Sequence, residues 1–233
     1  MKRVRSLVFQ TINPSDNVLA QQEFLDVISN FRFNENLGFG LSLKESSEDS
    51  LIVNVVKRTA TFINDYDDEL KEFVRKQIFV FSDFQFCVDF NLNVIYVFGG
   101  LSHINYVKYI LRNVLETNFN LIPVELNAHS FYHILLDKKI DTKIDHITIN
   151  HFNFQNELVG RFSGSVLNQS VASSLLEMYK SDIVKISFLI RISDNEQFII
   201  HAFPNGALKF LSAAEDVEYL TDYLKKIIFS KNG

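Results

Sequence analysis

His129 and His133, one helical turn apart, and Asp137, a further turn on, are the residues of this 233-residue chain whose types and spacing point most directly to chemistry. On a helix, positions i, i+4 and i+8 share one face. Two imidazoles one turn apart chelate a divalent metal, and a carboxylate completes the set. Such a centre would serve a metal-dependent hydrolase. The chain reads His129-Ser-Phe-Tyr-His133, however, and lacks the glutamate that follows the first histidine in metalloprotease helices. Histidines on a short helix are more often solvated or locally satisfied than metal-bound, so the expectation is a protein with no cofactor. Asp145, His146 and His151 lie close by in sequence, but on strands, where successive side chains diverge.

Other reactive patterns are weaker. Asp49 followed by Glu69-Leu-Lys71 has the order of restriction-type nucleases, whose carboxylates must share a metal from adjacent strands. Here Asp65 to Asp68 instead reads as the acidic start of a helix running to about Gln77. Gly38-Phe-Gly40, Phe98-Gly-Gly100 and Gly160-Arg-Phe-Ser-Gly164 fit neither a phosphate-loop nor a dinucleotide spacing. The stretch from Gly160 to Ser165 reads as a loop turn, with an anion site at the start of the following helix as the weaker alternative. Cys87, the single cysteine, excludes internal disulfides and sits between Phe86 and Val88 as packing rather than as a nucleophile. A Ser-His-Asp triad has no fixed chain order and leaves no trace to read. The balance leans away from an enzyme.

Charge speaks to partners. The net charge is −5 and the pI about 5.7, which argues against bulk coating of nucleic acid, whose affinity comes from Lys and Arg displacing counterions. Local basic clusters remain: Lys2, Arg3 and Arg5; Lys138, Lys139 and Lys143; Lys225, Lys226 and Lys231. The residues best placed to touch nucleic acid are Lys185, Arg191 and Lys209, on strands of the second half, with Arg161 in the glycine-containing turn.

These side chains need a scaffold, and the chain is long enough to bury a substantial core. Gly (8) and Pro (3) make up about 5% of the residues against a usual 12% or so, which excludes long flexible linkers. No apolar run reaches the roughly 18 residues of a membrane span, so a cytoplasmic protein without membrane contact is expected. Arg3 to Thr11 suits a strand. Pro14 with Ser15 or Asp16 as N-cap starts a helix carrying Val18, Gln22, Leu25 and Ile28 at helical spacing. Leu51 to Val56 and Thr59 to Ile63 read as strands of an antiparallel meander. Phe84 to Phe90, a turn at Asn91 to Asn93, Val94 to Phe98 and then a helix from Ile104 to Val114 follow. Leu121 to Glu125 reads as an edge strand because Pro123 cannot donate to a central ladder.

After a helix at Ala128 to Leu136, a strand at Lys143 to Asn150 and a helix at Val166 to Tyr179, the earlier grammar returns. Strands at Ile186 to Ile192, Gln197 to Phe203 and Ala207 to Leu211 precede a helix at Ala214 to Phe229. At an offset of 113 (203 − 90), Phe90 to Leu115 aligns with Phe203 to Ile228 without a gap, turn on turn and apolar position on apolar position. Duplication of a strand-strand-helix unit explains this, and so does the general likeness of two amphipathic segments of the same kind.

The stretch Ile186 to Ile228, a hairpin, a Gly-containing turn, a strand and a helix, resembles one half of the TATA-binding-protein saddle. Phe86-Cys-Val-Asp-Phe-Asn-Leu-Asn-Val-Ile-Tyr-Val-Phe-Gly-Gly100, with Leu111 to Leu115 and Ile122 to Leu126, is similar in element order to prokaryotic DNA-binding proteins of the RdgC and RexA types. These likenesses cover about half the chain and carry no single residue across. The saddle resemblance implies a concave sheet that opens a minor groove with apolar wedges.

The expected fold is therefore α+β, a mixed and mostly antiparallel sheet with helices on one face and two related halves. Residues 1–78 form a strand-helix-meander region. Residues 79–233 carry the repeated units at 79–126 and 184–230 around a connecting segment, 127–183. The expected function is non-enzymatic binding, with double-stranded DNA as partner. Abundant Phe, Ile, Asn, Lys and Tyr fit an AT-rich genome, that of a low-GC bacterium, its phages or mobile elements, and the resemblance to RdgC- and RexA-type proteins adds the expectation of an antiphage or phage setting. The alternative is a scaffold or accessory subunit whose partner is another protein or a second copy, since exposed sheet edges invite pairing.

Overall fold

A computed structural model of the chain describes residues 3–12, 21–115, 120–154, 158–212 and 216–230. In chain order the elements are β1 (Arg3–Ile12), α1 (Gln21–Asn30), β2 (Phe39–Ser46), β3 (Ser50–Asp67), β4 (Glu72–Asp89), β5 (Val94–Phe98), α2 (Leu101–Val114) and β6 (Leu121–Pro123). There follow α3 (Ala128–Asp137), β7 (Thr142–Phe154), β8 (Leu158–Ser165), α4 (Gln169–Met178), β9 (Ile183–Ser193), β10 (Glu196–Ala202), β11 (Leu208–Ser212) and α5 (Val217–Phe229). The fold is α+β, with antiparallel strands and helices packed on one side. It divides into two compact units, one made of Met1–Gln10, Phe98–Leu101 and Ile122–Gly233, the other of Thr11–Val97 and Ser102–Leu121. Neither unit ends near residue 78, which lies inside β4.

In the first unit the strands run in the order β1-β11-β10-β9-β7-β8, and β6 pairs with β1. Period-two alternation sends Ile186, Phe188 and Ile190 of β9, Ile200 and Ala202 of β10, and Leu208 and Phe210 of β11 to one face, where all are buried. Phe131 and Leu135 of α3, Ala172 and Leu176 of α4, and Leu220, Leu224 and Ile227 of α5 are buried with them. The edge of the Phe131 ring meets Phe188 at 5.7 Å between centroids, and Tyr132 stacks on the same ring at 6.0 Å. Each of the larger side chains contributes roughly 1.5–3 kcal/mol by leaving water, so the helices are held mainly by this seam. Their starts are fixed locally. Asn127 accepts a hydrogen bond from the Ser130 amide at the head of α3, and Asn168 one from the Ser170 amide at the head of α4, each at 2.9 Å.

In the second unit β2, β3, β4 and β5 are neighbours in that order. Leu51, Val53 and Val55 alternate inward with Phe86, Val88, Ile95 and Val97. Phe84, on the same face, meets the His103 and Tyr106 rings of α2. β3 and β4 are each 18 residues long. β2 accompanies β3 only as far as Lys57, and β5 accompanies β4 only from Phe86. Beyond these points, among the described strands, residues 58–67 and 72–81 pair only with each other, from Arg58 opposite Phe81 to Asp67 opposite Glu72. Ten residues at the strand rise make a two-stranded ribbon about 33 Å long.

The ribbon corrects the helix expected from Asp65 to Gln77. Asp67 Oδ1 accepts from the amides of Glu69 and Leu70 at 2.9 and 3.0 Å, and Lys71 adopts a positive φ of 54°, so the acidic run closes a tight turn. A side chain that bonds its own following amides offers the backbone an alternative to a helix. The strands expected at Leu51 to Val56 and Thr59 to Ile63 are one strand, β3. The turn expected at Gly160 to Ser165, with Arg161 in it, is strand β8. Pro14, Ser15, Asp16 and Val18 lie outside the described residues; α1 itself holds Gln22, Leu25 and Ile28. The aligned segments do share an element order: β4-β5-α2 and β10-β11-α5 both run strand, strand, helix. No helix among the described residues is long and apolar enough to cross a membrane.

Candidate nucleic-acid interface and a histidine cluster

The face of the first unit's sheet that points away from Phe188, Ile200 and Phe210 carries the polar residues. Ser6 of β1 stands opposite Lys209 of β11, Lys209 opposite His201 of β10, and His201 opposite Ser187 of β9. Ser187 in turn stands opposite His146 of β7, and His146 opposite Ser165 of β8. One polar row thus crosses six strands. Beside it Lys185, Thr148 and Ser163 form a second, shorter row. On its other flank Lys143 is opposite Leu189, and Arg191 is opposite Gln197. By the same alternation Arg161 shares the face of Ser163 and Ser165. The four residues singled out from the sequence, Lys185, Arg191, Lys209 and Arg161, therefore stand on one sheet face.

Short contacts order the face. Ser187 Oγ lies 2.7 Å from His201 Nδ1, His146 Nε2 2.9 Å from Ser163 Oγ, and Thr148 Oγ1 3.0 Å from the same hydroxyl. The Lys209 ammonium sits 5.0 Å above the Phe203 ring. Arg191 is 3.4 Å from Asp141, and both side chains are about half exposed. Such a pair contributes little, so the guanidinium can exchange that carboxylate for a phosphate at small cost.

Burial holds the His201 imidazole below its ordinary pKa of 6.5, and Lys185, Lys209 and the neighbouring His146 ring push the same way; Asp145 opposes them. The protonated ring is therefore disfavoured in the folded chain. Unfolded chain binds more protons between pH 6.5 and the lowered folded value, so His201 contributes a loss of stability as pH falls through that window. Urea denaturation at pH 7.5 and pH 5.5 is expected to show a smaller acid loss for His201→Gln than for the parent chain. An equal loss would remove His201 from the account.

The metal-ligating residues expected on α3 are placed differently. His129 and His133 do converge, but the carboxylate that joins them is Glu177 from the last turn of α4, not Asp137. Asp137, two turns from His129, ends α3 outside the group. His129 Nε2 lies 3.2 Å from Glu177 Oε1 and 3.3 Å from His133 Nε2, and His133 Nε2 lies 3.7 Å from the same carboxylate oxygen. A hydroxyl contact of 3.2 Å between Tyr132 and Ser173 ties the two helices together beside them. A cleft of about 650 Å³, lined by His129, Glu177, Asn127, Lys180, Ser181 and Pro204 among others, opens next to the group. Cys87 is buried, as packing requires.

Glu177 was invisible to spacing arguments because no single helix holds all three groups. Lys143 and His201 were missed as members of the polar face because their places depend on β9 lying between β7 and β10. No protein-family model matches the chain, and no curated protein matches it.

Proposed function

We propose that the chain is a binding protein that holds double-stranded DNA against the open sheet face of its first unit. The observation that carries this reading is the gathering of Lys143, Arg161, Lys185, Arg191 and Lys209, with His146 and His201, on one face of a chain whose net charge is negative. Phosphate contacts account for much of the affinity of nucleic-acid binders. Serine and threonine hydroxyls between the cations add neutral donors of the kind that set register on a backbone. A cytoplasmic setting belongs to this reading.

Titration of a fluorescein-labelled duplex at several salt concentrations tests it. With about four phosphates neutralised, the logarithm of the affinity is expected to fall with the logarithm of salt at a slope near −3.6. The double substitution Lys185→Ala with Lys209→Ala is expected to lower that slope by about two. An affinity indifferent to salt, or a slope unmoved by the double substitution, overturns the proposal.

A second reading, self-association, is favoured by the ribbon. Register places Phe62, Tyr66, Phe73, Phe79 and Phe81 on one of its faces, and all five are exposed. Arg75 lies 4.2 Å from the Phe62 ring centroid and Arg58 4.6 Å from that of Phe79. The occupant that suits this surface is a second copy of the chain. The acidic turn at Asp67, Asp68 and Glu69 would meet Arg58 at the root of the other ribbon if the two ran antiparallel.

A further inference from the structure

We propose that His129, His133 and Glu177 form a zinc site of three protein ligands with a fourth position left to water. The proposal is independent of DNA binding, since the cluster lies on the helices and the basic face on the sheet. A zinc ion 2.0–2.1 Å from each of three tetrahedrally arranged donors spaces those donors about 3.3–3.4 Å apart. The three spacings here are 3.2, 3.3 and 3.7 Å. The two edges at His129 lie within about 0.1 Å of that range, and the third needs a shift of a few tenths of an ångström by side chains that are partly exposed.

Hydrogen bonds alone serve this triangle poorly. Each neutral imidazole Nε2 either carries one proton or offers one lone pair, and the carboxylate oxygen only accepts. If His129 donates to Glu177, no proton is left for its 3.3 Å contact with His133 Nε2, which must then share that proton, carry a second N–H beside it or turn to solvent. A cation at the centre satisfies all three atoms at once. Two imidazoles and one carboxylate form a borderline donor set that suits zinc better than calcium or magnesium, which prefer shells of oxygen.

The scaffold is built to hold the ligands in place. His129 and His133 come from consecutive turns of α3, whose head is capped by Asn127. Tyr132, between them, stacks on the buried Phe188 ring and meets α4 through Ser173. Glu177 and His129 also line the neighbouring cleft, so a water on the metal stands within reach of whatever enters it.

Calorimetric titration of tag-free protein with zinc chloride tests the site, with cobalt(II) absorption reporting the coordination geometry. The expected result is one zinc per chain, intense visible bands of four-coordinate cobalt, and a melting midpoint that rises with zinc and returns with chelator. His133→Ala and Glu177→Gln, both at exposed positions and the second isosteric, are each expected to weaken zinc binding more than tenfold. Asp137→Asn is expected to leave it unchanged. Failure of zinc to saturate at one per chain overturns the proposal. So does binding that survives both substitutions, which would place the metal elsewhere.

Discussion

Phe188→Ala is expected to destabilise the chain by about 3–5 kcal/mol, the usual cost of emptying a fully buried aromatic position. Phe188 is 0% exposed and sits on β9, the strand that joins β7 to β10. Its ring receives the edge of Phe131 and the face of Tyr132, both from α3. Alanine would leave a void beneath Phe131 and Tyr132, and neighbours on β10 and β7, Ile200 and Ile144, are too constrained by their ladders to fill it. Urea denaturation measures the loss. Leu211→Ala, at a position 53% exposed, is the control and should change stability by no more than about 0.5 kcal/mol. A loss below about 1 kcal/mol for Phe188→Ala would mean that α3 is not seated on β9.

On the self-association reading, simultaneous substitution of Phe62, Phe73 and Phe79 by serine is expected to turn the paired chain into a monomer without loosening the fold. The three rings are 53%, 73% and 54% exposed, so removing them costs the isolated chain little. An aromatic side chain buries on the order of 150–250 Å², so five half-exposed rings offer roughly 500 Å² or more. The aliphatic and arginine stems around them bring the patch towards the 800 Å² or so that each partner of an ordinary interface contributes. At about 1.5–2 kcal/mol for each ring, loss of three weakens association by at least 10³-fold. Light scattering of parent and variant decides the matter. A parent chain that stays monomeric at its highest soluble concentration removes the self-association reading.

How much of this was legible in the sequence follows from the range of each signal. The hairpin from Phe84 to Phe98 and the strands and helix after Ile186 were readable because alternation, turn residues and helical spacing are all local. The same turn chemistry misled at Asp67. Clustered acids are equally suited to a helix start and to a turn, and only the alternation of Phe62, Tyr66, Phe73 and Phe79 across the turn separates the two. His129 and His133 share one helix and were found together, whereas Glu177 is brought to them by packing of α4 against the same sheet. The basic face was half visible. Lys185, Arg191 and Lys209 were assigned to strands of the second half, but the row through His201 and His146 exists only because the strand order departs from the chain order.

That departure is greatest at β1, where Arg3 pairs with Ser212 and Leu7 with Leu208. On the ribosome the earliest strand can meet β6 once Leu121–Pro123 has been made, but its flank towards β11 stays open until Leu208–Ser212 follows. Closing so distant a pairing is slow. The first unit is therefore the late step of assembly, and during the delay the bare flank of β11 is where a second nascent chain could donate its own β1 in exchange.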